Sequence, residues 1–243
     1  MNHRSFRALL VDAAAAPYRQ AGHFAWHFAR GKVRTDPVFL GLLRRGLIPP
    51  GARVLDLGCG QGLLASTLIA ADLLRARGHW PADWPAAPAA LQVRGIELMP
   101  RDVARARRAI GAFAAIEHGD IRTASFGTAD VAVILDVLHY LARDEQDSVL
   151  ARARAALSPD GALLLRVGDA AAGLPFMLSI WVDHVTTFAR GHRLSRLHCR
   201  SLHEWIATLE RLDFRVETVP MSEGTPFANV LLVARAGPQG VTA

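Results

Sequence analysis

The chain is short of several residue types, and each shortage excludes something. Only two cysteines occur in 243 residues, Cys59 and Cys199. They cannot supply a disulfide framework, so a reducing cytoplasm is the expected setting. Lys32 is the only lysine among 28 basic residues. The net charge of +6 therefore comes from arginines, among them Arg44, Arg45, Arg101, Arg105, Arg107, Arg108, Arg152 and Arg154. They lie mostly at helical spacing beside apolar positions, which reads as solvated helix faces, and no nucleic-acid partner is expected. No apolar run reaches the ~18–20 residues of a membrane span, so no stable membrane insertion is expected. The opening stretch MNHRSFRALLVDAAAAPYRQ starts like a secretory signal, but Asp12 breaks its apolar run and no clean cleavage pattern follows.

Apolar residues are plentiful, at 51% against 21% charged. That balance excludes a disordered chain and leaves enough material for a full core. Residues 1–50 read as a helical cap: Tyr18–Val33 forms one helix, and a second begins at Asp36 as N-cap with Pro37 in its first turn. RVLDLG (Arg53–Gly58) is a short buried strand, and LLASTLIAADLLRARG a helix closed by Gly78. HWPADWPAAPAA (79–90) holds four prolines and two tryptophans and reads as an inserted loop. Strands and helices then alternate: LQVRGIEL, PRDVARARRAIGA, AAIEHGDI, a strand at Val131–Leu135, a helix ending in Pro159-Asp160-Gly161, and ALLLRVGD. Ser201 and Glu204 form a capping box before the last helix. FRVETVPM and ANVLLVARA close the chain as two strands whose short connection allows an antiparallel pair. The expected fold is α/β, a doubly wound, mostly parallel sheet with an antiparallel C-terminal strand.

The stretch RVLDLGCGQGLLAS places Gly58, Gly60 and Gly62 at alternate positions between a strand and a helix. In doubly wound sheets this strand end is where ligands bind. A dinucleotide site wants G-x-G-x-x-G, but the third glycine position is Leu63. Pyrophosphate on the helix N-terminus would also meet the carboxylate of Asp56, two residues before the first glycine. The acid suits a ligand that carries positive charge and no phosphate.

On VLDLGCGQG the chain resembles the class I S-adenosylmethionine-dependent methyltransferases, and the likeness continues over roughly residues 50–235. GIEL supplies Glu97 at the end of the second strand, where the family's acid holds the ribose hydroxyls; the insertion at 79–90 accounts for the long interval from Asp56. Gly119-Asp120-Ile121 resembles the unit that flanks adenine. VILDVLHYL places Asp136 and Leu138 near the methionine moiety. The resemblance thus implies S-adenosylmethionine as cofactor, a seven-stranded Rossmann-like sheet over 51–236, and a cofactor site of Asp56, Gly58, Cys59, Gly60, Glu97, Leu98, Asp120, Ile121, Asp136 and Leu138.

For the acceptor, His139 follows the fourth strand and His184 lies in a cover segment at 171–199; both are candidate catalytic residues. The histidines at 184, 192, 198 and 203 with Cys199 fit no compact ligand spacing, so no metal is expected. Phe24, Trp26, Phe28, Phe176, Met177, Ile180, Trp181 and Phe188 suit a small flat or greasy acceptor. HFARGKVRTDPVF, HWPADWP and GIELMPRDV together resemble methyltransferases of aryl-polyene (xanthomonadin-type) pigment clusters, which implies a ring-hydroxylated acceptor, free or on an acyl carrier protein. Two other readings stand beside this one: an NAD(P)-dependent oxidoreductase, and a cofactor-binding protein without turnover.

Overall fold

A computed structural model describes residues 3–168, 198–221 and 229–237. Its strands form one seven-stranded sheet in the order β3-β2-β1-β4-β5-β7-β6. These are β1 Arg53–Leu57, β2 Gln92–Glu97, β3 Ala115–His118, β4 Ala129–Leu135, β5 Leu157–Gly168, β6 Phe214–Pro220 and β7 Asn229–Ala236. The helices are α1 His3–Ala15, α2 His23–Thr35, α3 Pro37–Arg44, α4 Leu63–Ala76, α5 Pro100–Ile110, α6 Arg143–Ala156 and α7 Leu202–Glu210. The chain divides into two compact units, 1–133 and 134–243.

In the first unit β1 runs parallel to β2 and β4, and β2 parallel to β3. Register sets Asp56 beside Gly95 and Val133. β1 is buried on both faces, as its apolar run predicts for a parallel strand. The cap helices pack here too. Ser66 of α4 donates to the Ala14 carbonyl at 2.7 Å. The continuous helix expected from Tyr18 is instead a 3-10 turn, Ala16–Ala21, then α2. Gly22 at φ +109° separates them, a conformation no helix contains. Asp36 caps α3 as expected, accepting from the Val38 amide at 3.0 Å.

The Pro/Trp insertion has no regular structure. It is nevertheless anchored. Phe6 of α1 meets the edges of Trp80 and Trp84 at 5.4 and 5.1 Å, and His3 pairs with Asp83 at 2.9 Å. The two tryptophans thus bury aromatic surface against the N-terminal helix.

In the second unit β7 is antiparallel to both β5 and β6. β5 begins at Leu157, so the Pro-Asp-Gly turn falls inside the strand's span rather than before it. The Ser201–Glu204 capping box forms, with the Ser201 amide 2.8 Å from Glu204.

Candidate functional site

The loop after β1 turns on three glycines in the left-handed region: Gly58 (φ +75°), Gly60 (φ +56°) and Gly62 (φ +74°). That region costs other residues roughly 1–2 kcal/mol each, so the loop demands glycine before any ligand is considered. Gly62 has a second reason. A Cβ there would come within 2.7 Å of Ile110 Cδ1 in α5. Its missing side chain lets α5 pack against the start of α4.

Four of the loop amides have defined acceptors. Gly58 and Cys59 donate to the Ile96 carbonyl at 2.8 and 3.2 Å, and Gly62 donates to the Cys59 carbonyl at 2.9 Å. Gly60 donates to Glu97 Oε2 at 2.8 Å, while the other oxygen of Glu97 accepts from the Met99 amide at 2.8 Å. Glu97, not Asp56, is therefore the acid that holds the loop amide. From outside the loop, Tyr18 reaches in from the cap and donates to the Gln61 carbonyl at 2.6 Å. Tyr18 and Gln61 are both almost fully buried. Neither was singled out by sequence; a polar residue between two glycines and a tyrosine in an Ala-rich cap were the available signals.

Asp56 is buried, and its carboxyl is pushed up to about 7. Desolvation is the main cause and the negative charge of Glu97 the second. Among the described residues no arginine or lysine pairs with either carboxylate. Burial, followed by Asp56 and Glu97, also pushes the Cys59 thiol up, so Cys59 is a packed neutral thiol and no nucleophile. It fits because Gly95 leaves room: a Cβ there would lie 2.7 Å from the Cys59 sulfur.

Of the remaining expected residues in this unit, Leu98 is half exposed, Ile121 is buried and Asp120 is partly buried. Asp120 forms an Asx turn with the Arg122 amide at 2.9 Å and an ion pair with its guanidinium at 2.6 Å. The pair holds the Asp120 carboxyl below the usual range.

In the second unit Asp136 ends β4 with φ +57°, an uncommon conformation for a residue with a side chain. It is held there by buried Arg166 of β5, whose guanidinium binds both its carboxylate oxygens, one at 2.9 Å. Arg166 was legible only as a lone charge in an apolar strand. Leu138 is buried and His139 is half-buried, its ring 4.2 Å from that of Tyr140. Beneath them the fully buried Gln146 donates to the carbonyls of Leu138, Leu141 and His198, at 3.1, 3.0 and 2.7 Å. His184, with most of the expected cover segment, lies outside the described residues.

Comparison with known families decides what this architecture is. The family profile described as a methyltransferase domain matches residues 25–219. The chain belongs to the class I S-adenosylmethionine-dependent methyltransferases. Among curated relatives, this methyltransferase is similar to the carboxy-S-adenosyl-L-methionine synthase of Chromohalobacter salexigens, with 35% identity over 131 residues, 52% of this chain and 43% of that one. It spans about half the length of the curated relatives it matches. Among solved structures, the mitomycin 7-O-methyltransferase MmcR superposes with a TM-score of 0.60 at 24% identity, over 86% of this chain and 56% of that one. The magnesium protoporphyrin IX methyltransferase of Synechocystis PCC 6803, solved with bound S-adenosylhomocysteine, gives 0.58 at 17%, over 97% and 100%. At these identities the solved structures speak to the fold.

Proposed function

We propose that this methyltransferase moves the methyl group of S-adenosylmethionine to a small aromatic or hydrophobic acceptor, without a metal. One observation carries the cofactor half of the reading. Two buried carboxylates, Asp56 and Glu97, flank the glycine loop with no basic partner among the described residues, and Asp56 is forced toward its neutral form. A cationic ligand removes that penalty, whereas a pyrophosphate would add to it. S-adenosylmethionine carries an ammonium and a sulfonium.

In this reading Glu97 keeps its two amide donors and accepts ribose hydroxyls with its remaining lone pairs. Gly58, Cys59 and Gly60 give the methionine portion a backbone wall. Leu98, Asp120 and Ile121 serve the adenine, as in the family the chain resembles. The transfer itself is an in-line displacement. A lone pair of the acceptor atom forms the new bond to the methyl carbon as the carbon–sulfur bond breaks, and that electron pair stays on sulfur as the thioether. The acceptor's proton leaves to a base, for which His139 and His184 are the candidates. Alignment of the three reacting atoms supplies much of the rate.

Support for an aromatic acceptor is analogy at the level of fold. One structural neighbour was solved with apigenin and another is named for mitomycin. An acyl carrier protein presenting the acceptor, and a cytoplasmic setting, belong to the same proposal; no helix among the described residues is long and apolar enough to cross a membrane. The 35% match to a carboxy-S-adenosyl-L-methionine synthase favours a second reading, in which the chain moves a carboxyl group from a carboxylic-acid co-substrate onto the cofactor's methyl carbon, that carbon losing a proton as the new bond forms. Incubation with methyl-labelled S-adenosylmethionine, a panel of phenols and a panel of small carboxylic acids as carboxyl donors tests both. Label on a phenol supports transfer. A carboxylated cofactor identified by mass spectrometry supports the second reading. Tight cofactor binding with neither product leaves a binding protein.

A further inference from the structure

Helix α2 carries two histidines one turn apart, His23 and His27, on its exposed side. At i and i+4 they lie on one helix face. Their Nε2 atoms are 3.0 Å apart. One ring therefore donates and the other accepts, in roles that their tautomers set. Neither residue belongs to the cofactor site or to the transfer chemistry proposed above.

We infer that His23 and His27 form a two-histidine chelate for a late first-row divalent transition-metal ion of the copper or nickel type. The distance fits a cis pair of imidazole ligands. With metal–imidazole bonds of about 2.0–2.1 Å, nitrogens 3.0 Å apart subtend about 91–97° at the ion. That is the cis angle of a square-planar or octahedral ion. A tetrahedral zinc ion would need its nitrogens about 3.3–3.4 Å apart. Copper(II) and nickel(II) prefer the tetragonal geometry and bind nitrogen strongly. Calcium and magnesium want oxygen donors, and α2 has no carboxylate. Proton balance is simple: the donor ring moves its proton from Nε2 to Nδ1, so the ion meets two neutral nitrogens and no proton is released. Among the described residues no group of three or more ligating side chains surrounds an ion, so water fills the other coordination positions.

The setting gives binding a structural consequence. α2 starts at Gly22, which offers no side-chain cap, and its first turn has no acidic residue. An ion bridging positions 23 and 27 closes that turn. Nearby cations are Arg19, whose guanidinium lies 5.3 Å over Trp26, and Arg105, 4.9 Å over Phe24; the Trp26 ring is 4.5 Å from that of His27. Their positive charge lowers the affinity for a cation. Trp26 places an indole fluorophore beside the ion.

The test is titration of the full chain with nickel chloride and then copper chloride, read by calorimetry and by tryptophan fluorescence. The expected result is saturable binding of one ion per chain, tighter for copper than for nickel, with quenching and a rise in Tm. His23→Ala and His27→Ala should each weaken binding at least tenfold, as should the conservative His27→Gln. His3→Ala should bind normally, and Trp26→Phe should keep the heat and lose most of the quench. Both histidines are exposed, so circular dichroism should show these variants folded. Undiminished binding in both alanine variants would place the ion on other histidines and overturn the inference. So would the absence of saturable binding by the unmodified chain.

Discussion

Two carboxylates decide the chemistry at the scale of single residues. Glu97 holds the Gly60 and Met99 amides and is assigned the ribose hydroxyls. Glu97→Ala should therefore weaken S-adenosylmethionine binding by about 10–100-fold. It should also lower the Tm, because a glycine-loop amide and the N-cap amide of α5 lose a charged acceptor. Asp56 gives a pH test. Its folded-state value, about 7, lies above the ordinary 3.8. The folded chain thus holds the proton more tightly than the unfolded one. The resulting stabilisation is complete at acid pH and is lost as pH rises through about 7. Tm should fall across that window in the cofactor-free chain, and less so in Asp56→Asn. Cofactor affinity should run the other way, rising with pH toward 7, because a cation prefers the ionised carboxylate. A flat affinity profile identical in the Asn variant would contradict the role of Asp56. The position and sign of both acids were legible in VLDLGCGQG and GIEL. Which acid grips the loop was not, because a hydrogen bond between residues 37 apart depends on how β1 and β2 pair.

Among the elements, the glycine loop and α4 behave as one packed unit. Gly62→Ala meets both a left-handed φ and Ile110. It should cost about 1–3 kcal/mol, read by urea denaturation. Tyr18→Phe removes the donor to the Gln61 carbonyl. A buried carbonyl left without that partner costs about 1–3 kcal/mol, so Tm should drop although the change is one oxygen atom; an unchanged Tm would show that Tyr18 does not secure the loop. Caps and breakers were readable locally: Asp36 before Pro37, Ser201 with Glu204, Gly78 after α4. The insertion at 79–90 was readable only as irregular, since its proline content forbids helix without saying what its tryptophans touch. Their partner, Phe6, lies more than seventy residues away. The break at Gly22 was missed because the apolar spacing runs through it, and the conformation of one glycine outweighs that periodicity.

For the whole molecule, the mostly parallel sheet with one antiparallel return was legible in the alternation of strand and helix and the short last connection. The family followed from the order of motifs along the chain, each of them only moderately specific alone. The acceptor is far less legible. A cofactor site is built from backbone turns and charges at fixed strand ends, whereas an acceptor site is built from side chains whose packing no short pattern encodes. The account rests on the claim that the loop and its acids hold S-adenosylmethionine. Calorimetric titration of the full chain with S-adenosylhomocysteine, alongside NADH and alongside the Glu97→Ala variant, tests it most directly. The prediction is one S-adenosylhomocysteine per chain, at least tenfold weaker binding in the variant, and no heat from NADH. Binding of NADH without S-adenosylhomocysteine, or equal affinity in the variant, would contradict it.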